Sequence, residues 1–380
     1  VSAGVDRPPG SGPTIVYVSK FPPTSSGIGL YAQEFVRVLS LFGPVRLVIA
    51  PPDPQRSQAL RAALRGFVSG WFTQPGDFVH VELSGRALFE FYLALGRLTR
   101  HRGAGLAVTC HDAPSVAGSV MLFSLLDRRG LRRLGELLSV RIGRRWERRL
   151  LGACTAVFAL TEEGAAELSR RAGRSVTTIP HVVGARPARA KSPVVFVPGY
   201  VSDIAGILDV AAVVDDVRRS TSTPWTVVVG ASSPGVEEQV RSRLTDGTHD
   251  VVRFTGLLEE AALLETFDEA AVVVRTSSSA PAANYLAASG PLCWAVASGC
   301  LVLTDDDRAG ARELEAWGLL TRSSDLAGTL RATLDEAAGS VTAAHAIAAE
   351  ASRRMGVGAV ARCYAEAVDL TPTAGGSFPP

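Results

Sequence analysis

Three stretches of the chain bring together residue types that hold an anion or act on a small polar substrate. In the loop KFPPTSSGIG, between the apolar run TIVYVS and a helix-like segment, Gly27 and Gly29 would let backbone amides approach a phosphate. His111-Asp112 ends the apolar run GLAVTC, at the C-terminal end of a strand, where open α/β sheets place ligands. The plainer role for His111 is structural, donating to a nearby carbonyl or to Asp112. The third stretch runs from Thr276 to Thr304, with no charge between Arg275 and Asp305. Within it Ser289-Gly290-Pro291 reads as a helix start, with Ser289 as N-cap and proline in the first turn, where its missing N–H costs nothing. Free amides and the positive end of a helix dipole suit a phosphate there, and Arg275 supplies a cation at the preceding strand end.

These residues need a frame, and the apolar runs provide one. The uncharged stretch is long enough to suggest a membrane span, but Pro281, Asn284, Gly290, Pro291 and Gly299 break its continuity. It reads instead as loop, buried helix (LCWAVASG) and buried strand (CLVLT). Before it TIVYVS, VRLVIA, DFVHVEL, GLAVTCHD and CTAVFAL alternate with helical segments, SVTTIPHVV closes the first half, and VVFVP, WTVVVG, VVRFTG and AAVVVR form the second. This alternation predicts two parallel sheets covered on both faces. The expected division is a disordered lead-in at 1–13, a first domain at 14–183, a linker at 184–193, a second domain at 194–355, a terminal helix at 356–370 and a disordered tail at 371–380. VSAGVDRPPGSG lacks the apolar core of a signal peptide.

A length of 380 residues with 47% hydrophobic side chains fills two cores. The net charge of +2 argues against a dedicated nucleic-acid binder. Only Lys20 and Lys191 are lysines among 39 basic residues, and with abundant alanine this bias suggests a GC-rich bacterial genome. The five cysteines are scattered and lie mostly in apolar runs, so they read as buried free thiols of a cytoplasmic protein rather than as metal ligands. From Asp127 to Leu151, nine arginines face three acids along a helix with one apolar stripe. A solvated face over the domain core is the plain reading. The alternatives are peripheral contact with the inner membrane face and an acidic or phosphorylated acceptor.

The run ASGCLV, Ala297 to Val302, following a strand, a loop and a short helix, resembles the donor-site segment of retaining GT-B glycosyltransferases of family 4. The resemblance implies an α/β fold of two Rossmann-like doubly wound domains facing a central cleft, with the terminal helix crossing back to the first. It also implies metal-independent transfer, with retention of configuration, from a nucleotide-sugar that is substrate rather than cofactor. The acceptor would be a sugar, a lipid-linked or a small molecule in polysaccharide or glycoconjugate synthesis. Gly27 and Gly29 match the family's first loop, between donor phosphates and acceptor, and TCHD looks like its "vHD", which puts His111 against the donor sugar. Gly199 matches the glycine of the family's Gly-Arg-x4-Lys-Gly, but Tyr200 stands at the arginine position and Ala205 at the lysine. Leu286 and Trp294 occupy the positions of the family's two donor-site glutamates. Arg275 is the nearest replacement cation, and Ser289-Gly290 looks like the Ser-Gly turn some members carry instead of the first glutamate. Two readings stay open: an enzyme with a variant donor site, or a scaffold that transfers nothing and serves as a binding or partner subunit, for instance to a second glycosyltransferase. A dinucleotide-dependent oxidoreductase has little support, because Gly-x-Gly-x-x-Gly after a strand is missing.

Overall fold

The structure, a computed structural model, describes residues 13–372 except 22–27, 52–57, 85–86, 102, 114–143, 187–188, 200, 233–234, 246–247, 277–285 and 337–340. Gly27, Tyr200, the serine-rich loop and most of the arginine-rich segment therefore lie outside the described residues, as do the lead-in up to residue 12 and the tail from residue 373. The chain divides into two compact units, Val1–Val182 with Val357–Pro380, and Val183–Gly356.

The first unit is built on a parallel six-stranded sheet in the order β2-β1-β3-β4-β5-β6. Its strands are β1 Ile15–Ser19, β2 Val45–Ile49, β3 Phe78–Leu83, β4 Leu106–Cys110, β5 Ala156–Ala159 and β6 Thr177–Thr178. β1, β3, β4 and β5 are buried along their whole length, as expected of parallel strands covered on both faces. The helices are α1 Ile28–Ser40, α2 Ala59–Trp71, α3 Leu88–Arg100 and α4 Glu162–Ala172, with residues 144–153 also helical. α4 begins at Thr161, whose hydroxyl accepts from the Gly164 amide at 3.1 Å, with Glu162 and Glu163 in the first turn facing the dipole. The closing strand is much shorter than SVTTIPHVV suggests: only Thr177 and Thr178 pair, and Pro180 has no N–H to extend the ladder.

The second unit has a parallel sheet in the order β12-β11-β10-β7-β8-β9. Its strands are β7 Ser192–Val197, β8 Thr226–Val229, β9 Val252–Phe254, β10 Ala270–Arg275, β11 Leu301–Thr304 and β12 Thr321–Arg322. The helices are α5 Ile204–Ser220, α6 Val236–Arg241, α7 Glu260–Glu269, α8 Gly290–Ala297, α9 Ala309–Ala316, α10 Leu326–Glu336 and α11 Val341–Met355. The last helix, α12 Val357–Val368, belongs to the first unit, where Tyr364 is fully buried. Valines from β7, β8 and β10, with Ile207, Val210 and Val214 of α5, make the second core. Each such side chain contributes about 1.5–3 kcal/mol on burial. In both sheets the strand order reverses beside the first strand, between β1 and β3 and between β7 and β10. Such switch points open crevices at the C-terminal strand ends. Among the described residues, no helix is long and apolar enough to cross a membrane.

Candidate functional site

In the first unit a row of polar side chains crosses three strands on one face of the sheet. Register places Tyr17 opposite His80, and Glu82 opposite Thr109. His111 follows β4 directly, its backbone N–H donating to Leu83 O at 2.8 Å. Alternation along β3 and β4 then turns His80, Glu82, Thr109 and His111 to the same face. Glu82 is the centre of the row. Its Oε1 accepts from the Tyr17 hydroxyl at 3.0 Å and lies 3.1 Å from His80 Nε2, while its Oε2 lies 2.7 Å from His111 Nε2.

Burial alone would push the Glu82 carboxyl upward, but the hydrogen bonds from His111 and His80, with the positive charge these rings can carry, pull it down to about 2. An ionised carboxylate only accepts, so Nε2 of both histidines must carry the proton. His80 Nε2–H is shared with Thr109 Oγ1 at 2.9 Å, and in the neutral ring its Nδ1 accepts from the Tyr364 hydroxyl at 3.1 Å. The same reasoning leaves the lone pair of a neutral His111 on Nδ1. The Tyr31 and His111 rings are perpendicular, with 4.7 Å between centroids, and Tyr31 also packs on His181 with centroids 5.1 Å apart. Burial, then the proximity of His111, lowers His181 to about 4, so it is neutral at pH 7 and its Nδ1–H donates to Val182 O at 3.1 Å. His111 thus sits at the C-terminal end of its strand with its ring held by a fixed anion, an arrangement that orients a general base or a polar contact.

The second unit carries the other sequence candidates at the C-terminal ends of its strands. Gly199 follows β7 with φ +93°, which a side chain would strain, and a Cβ there would lie 3.9 Å from Arg275 Nη1. Arg275 is lowered to about 10, chiefly by burial and then by Arg308, while Asp306 opposes the shift from 3.6 Å. Arg308 grips the same Asp306 carboxylate, with Nε 2.8 Å from both oxygens. Burial would raise Asp306, and the Arg308 hydrogen bonds hold it below its ordinary value instead. Two guanidinium groups thus share one carboxylate at the ends of β10 and β11. Close packing draws the neighbouring helix starts to this edge. A Cβ on Gly206 of α5 would meet Thr276 Cγ2 at 2.5 Å, and one on Gly310 of α9 would meet Ala288 Cα at 2.8 Å.

Ser289 holds the N-cap position of α8, with Pro291 in the first turn and Gly290 as the first helical residue, but its hydroxyl makes no capping bond. That hydroxyl is buried and has no hydrogen-bond partner among the described residues. Asp203 caps α5 by accepting from the Gly206 amide at 3.0 Å. Ala205 is exposed in the first turn of α5, Leu286 is half-buried, and Trp294 is buried in the body of α8. Gly29 lies inside the first turn of α1 and is buried, so the helix starts earlier than the loop reading implies. Lys191 ties the start of β7 to the ends of α7 and α8, donating to Phe267 O at 3.1 Å, Asp268 O at 3.0 Å and Ser298 O at 2.7 Å.

Sequence reasoning missed Glu82, His80, Tyr17 and Tyr364 in the first unit, and Asp306 with Arg308 in the second. The available signal was polar residues two apart in FVHVEL, a strand that the flanking apolar runs otherwise mark as buried. Among the described residues no cluster of three or more His, Cys, Asp or Glu is arranged to hold a metal ion.

No protein-family model and no curated protein matches the chain. Solved structures do. Sucrose-phosphate synthase from Thermosynechococcus elongatus is similar at a TM-score of 0.61 and 14% identity, over 93% of this chain and 98% of that one. A glycosyltransferase involved in avilamycin A biosynthesis is similar at 0.58 and 16%, over 94% and 97%. UDP-GlcNAc 2-epimerase from Neisseria meningitidis, bound to UDP-GlcNAc, is similar at 0.57 and 12%, over 93% and 99%. With two parallel six-stranded sheets and alternating helices, the chain has the GT-B fold, two Rossmann-like domains.

Proposed function

We propose that the chain is a retaining, metal-independent glycosyltransferase of family 4 type that uses a nucleotide-diphosphate sugar. The observation that carries this reading is the His111 ring held at a strand's C-terminal end by an ionised, buried Glu82. The similar structures support it: two are named as enzymes of sugar transfer or synthesis, and a third is bound to UDP-GlcNAc. In the reaction, the bond from the anomeric carbon to the diphosphate oxygen breaks, and a bond to the acceptor oxygen forms on the same face. The acceptor's proton passes to the departing diphosphate. His111 contacts the donor sugar, and Glu82 fixes the ring. The diphosphate rests on the free amides at the start of α8, with the Ser289 hydroxyl and the Arg275 guanidinium as further donors and Gly199 leaving room for it.

The test is calorimetric titration of the protein with UDP, GDP, ADP and TDP, with Ser289→Trp as a blocked control. Saturable binding of one nucleotide, lost in Ser289→Trp, is expected. No binding of any of the four at millimolar concentration refutes the transferase reading and leaves the GT-B chain as a binding or partner subunit.

A further inference from the structure

α2 is a helix whose small side chains face in and whose large apolar side chains face out. Its inner face consists of Ala59, Ala62, Ala63, Gly66 and Gly70, all buried. The glycines are required by contact with α3: a Cβ on Gly66 would lie 2.2 Å from Phe89 O, and one on Gly70 would lie 1.9 Å from Leu93 O. Backbone rests on backbone there, so no larger residue can turn inward. The opposite face carries Leu60, Leu64 and Val68, and Phe72 continues the line just past the last turn; they are 62%, 62%, 43% and 76% exposed. Steps of four residues put these side chains in one ridge about 18 Å long. Single exposed leucines need no explanation, but a continuous apolar ridge on a soluble surface marks a contact.

The charges beside the ridge say with what. Arg61 and Arg65 are exposed on the same face, and from Ala59 to Pro75 the chain has no acidic residue. At the C-terminal end the Arg100 guanidinium lies over the Trp71 ring, 5.2 Å from its centroid, next to Phe72. A convex ridge with flanking arginines and terminal aromatics does not suit self-pairing, because a second copy would bring its own arginines against these. It does suit the interfacial zone of a bilayer, where apolar side chains enter the acyl boundary and arginines reach anionic headgroups.

We propose that α2 is a membrane-docking helix that lies flat on an anionic phospholipid surface, with Leu60, Leu64, Val68 and Phe72 inserted and Arg61 and Arg65 on the phosphates. This surface is separate from the arginine-rich segment at 127–151 and does not depend on the transferase reading. The experiment is flotation of the full chain with vesicles of phosphatidylcholine alone and of phosphatidylcholine with about 30% phosphatidylglycerol, at low and high salt. The wild-type chain should partition onto the anionic vesicles about tenfold or more above the neutral ones, and high salt should weaken this. Leu64→Ser with Phe72→Ser should lose about tenfold of the binding, and Arg61→Gln with Arg65→Gln should lose a similar factor and most of the salt dependence. All four positions are exposed, so both variants should keep the wild-type thermal transition and nucleotide titration. The inference is overturned if wild type stays unbound, or if both variants float as well as wild type does. It is also overturned if Phe72→Ser abolishes a concentration-dependent doubling of mass, which would assign the ridge to a second copy.

Discussion

Replacing Glu82 by glutamine removes one charge from the centre of the first unit while keeping the side chain's shape, so its effects can be worked out group by group. The Glu82 carboxyl sits at about 2 instead of the ordinary 4.5. At about 1.4 kcal/mol per pH unit, its network contributes roughly 3 kcal/mol to stability. The folded value is depressed, so this stability is present above about pH 4.5 and is lost as pH falls toward 2. Glu82→Gln should lower the free energy of unfolding by about 2–4 kcal/mol at pH 7 and flatten its pH dependence between about pH 5 and 2. The substitution also places an NH2 donor in the network. If that group faces His111, the ring must offer its Nε2 lone pair and carry its proton on Nδ1 instead. Glycosyl transfer should then fall by a factor on the order of 100 or more, as expected when a fixed ring changes tautomer. Urea unfolding between pH 3 and 7 measures the first effect, and nitrogen chemical shifts of labelled histidine measure the second. Nucleotide affinity should stay at its wild-type value, because the assigned phosphate donors belong to the other unit. Unchanged unfolding and an unchanged His111 tautomer in Glu82→Gln would refute the assignment of Glu82 as the ring's anchor.

Ser289→Ala removes a buried hydroxyl that has no partner among the described residues, so the ligand-free protein should be more stable by about 1 kcal/mol, while nucleotide affinity should fall about tenfold if that hydroxyl bonds a phosphate. Thermal melting and calorimetry on the same sample separate the two effects. Gly70→Ala would force a Cβ to within 1.9 Å of Leu93 O, and overpacking of about 3 kcal/mol or loss of the folded first unit should appear in a melting curve. Arg186→Ala removes the partner of Asp268, which it meets through Nε at 2.7 Å and a second, parallel bond. Asp268 is 2% exposed and would keep only the Ser298 hydroxyl at 3.1 Å and the nearby Lys191 charge among the described residues, so losing its bidentate cation should cost about 3 kcal/mol, read by urea unfolding of the second unit.

The frame was legible because parallel strands buried on both faces leave uninterrupted apolar runs. IVYVS, AVVVR and LVLT could be little else, and the alternation of runs and helices ordered them. Two-residue strands leave no such trace: Thr321–Arg322 pairs with β11 only because of its place beside it. The candidate site was legible in its backbone positions, His111 at a strand end and Ser289 at a helix start, since both follow from local order along the chain. Its partners were not. His80 and Glu82 alternate with apolar residues as they would in a strand with one wet face, yet both are buried, and rings packed on His80 come from distant elements, Phe35 of α1 and Tyr364 of α12, the latter 284 residues away. Long-range closure of this kind cannot be read from periodicity. Nor can an unpartnered hydroxyl, since Ser289 has the residue type and position of an ordinary cap.

Within the proposed reading, the two units prepare for charge in opposite ways. In the first unit the charge is settled before any ligand arrives: Glu82 is ionised, and three hydrogen-bond donors are committed to it. In the second unit the family's two free cations are replaced at Tyr200 and Ala205, and the arginines at the edge are shared, Arg275 and Arg308 about Asp306. The three groups sum to a single positive charge, against the two that an arginine and a lysine would present to a diphosphate. A donor entering here must compete with Asp306 for Arg275, and the contact between them is already loose at 3.6 Å. Transfer of Arg275 from Asp306 to a phosphate oxygen would leave Arg308 to keep the buried carboxylate satisfied. On that reading Arg308 would support donor binding through Asp306, by keeping the carboxylate paired while Arg275 leaves it.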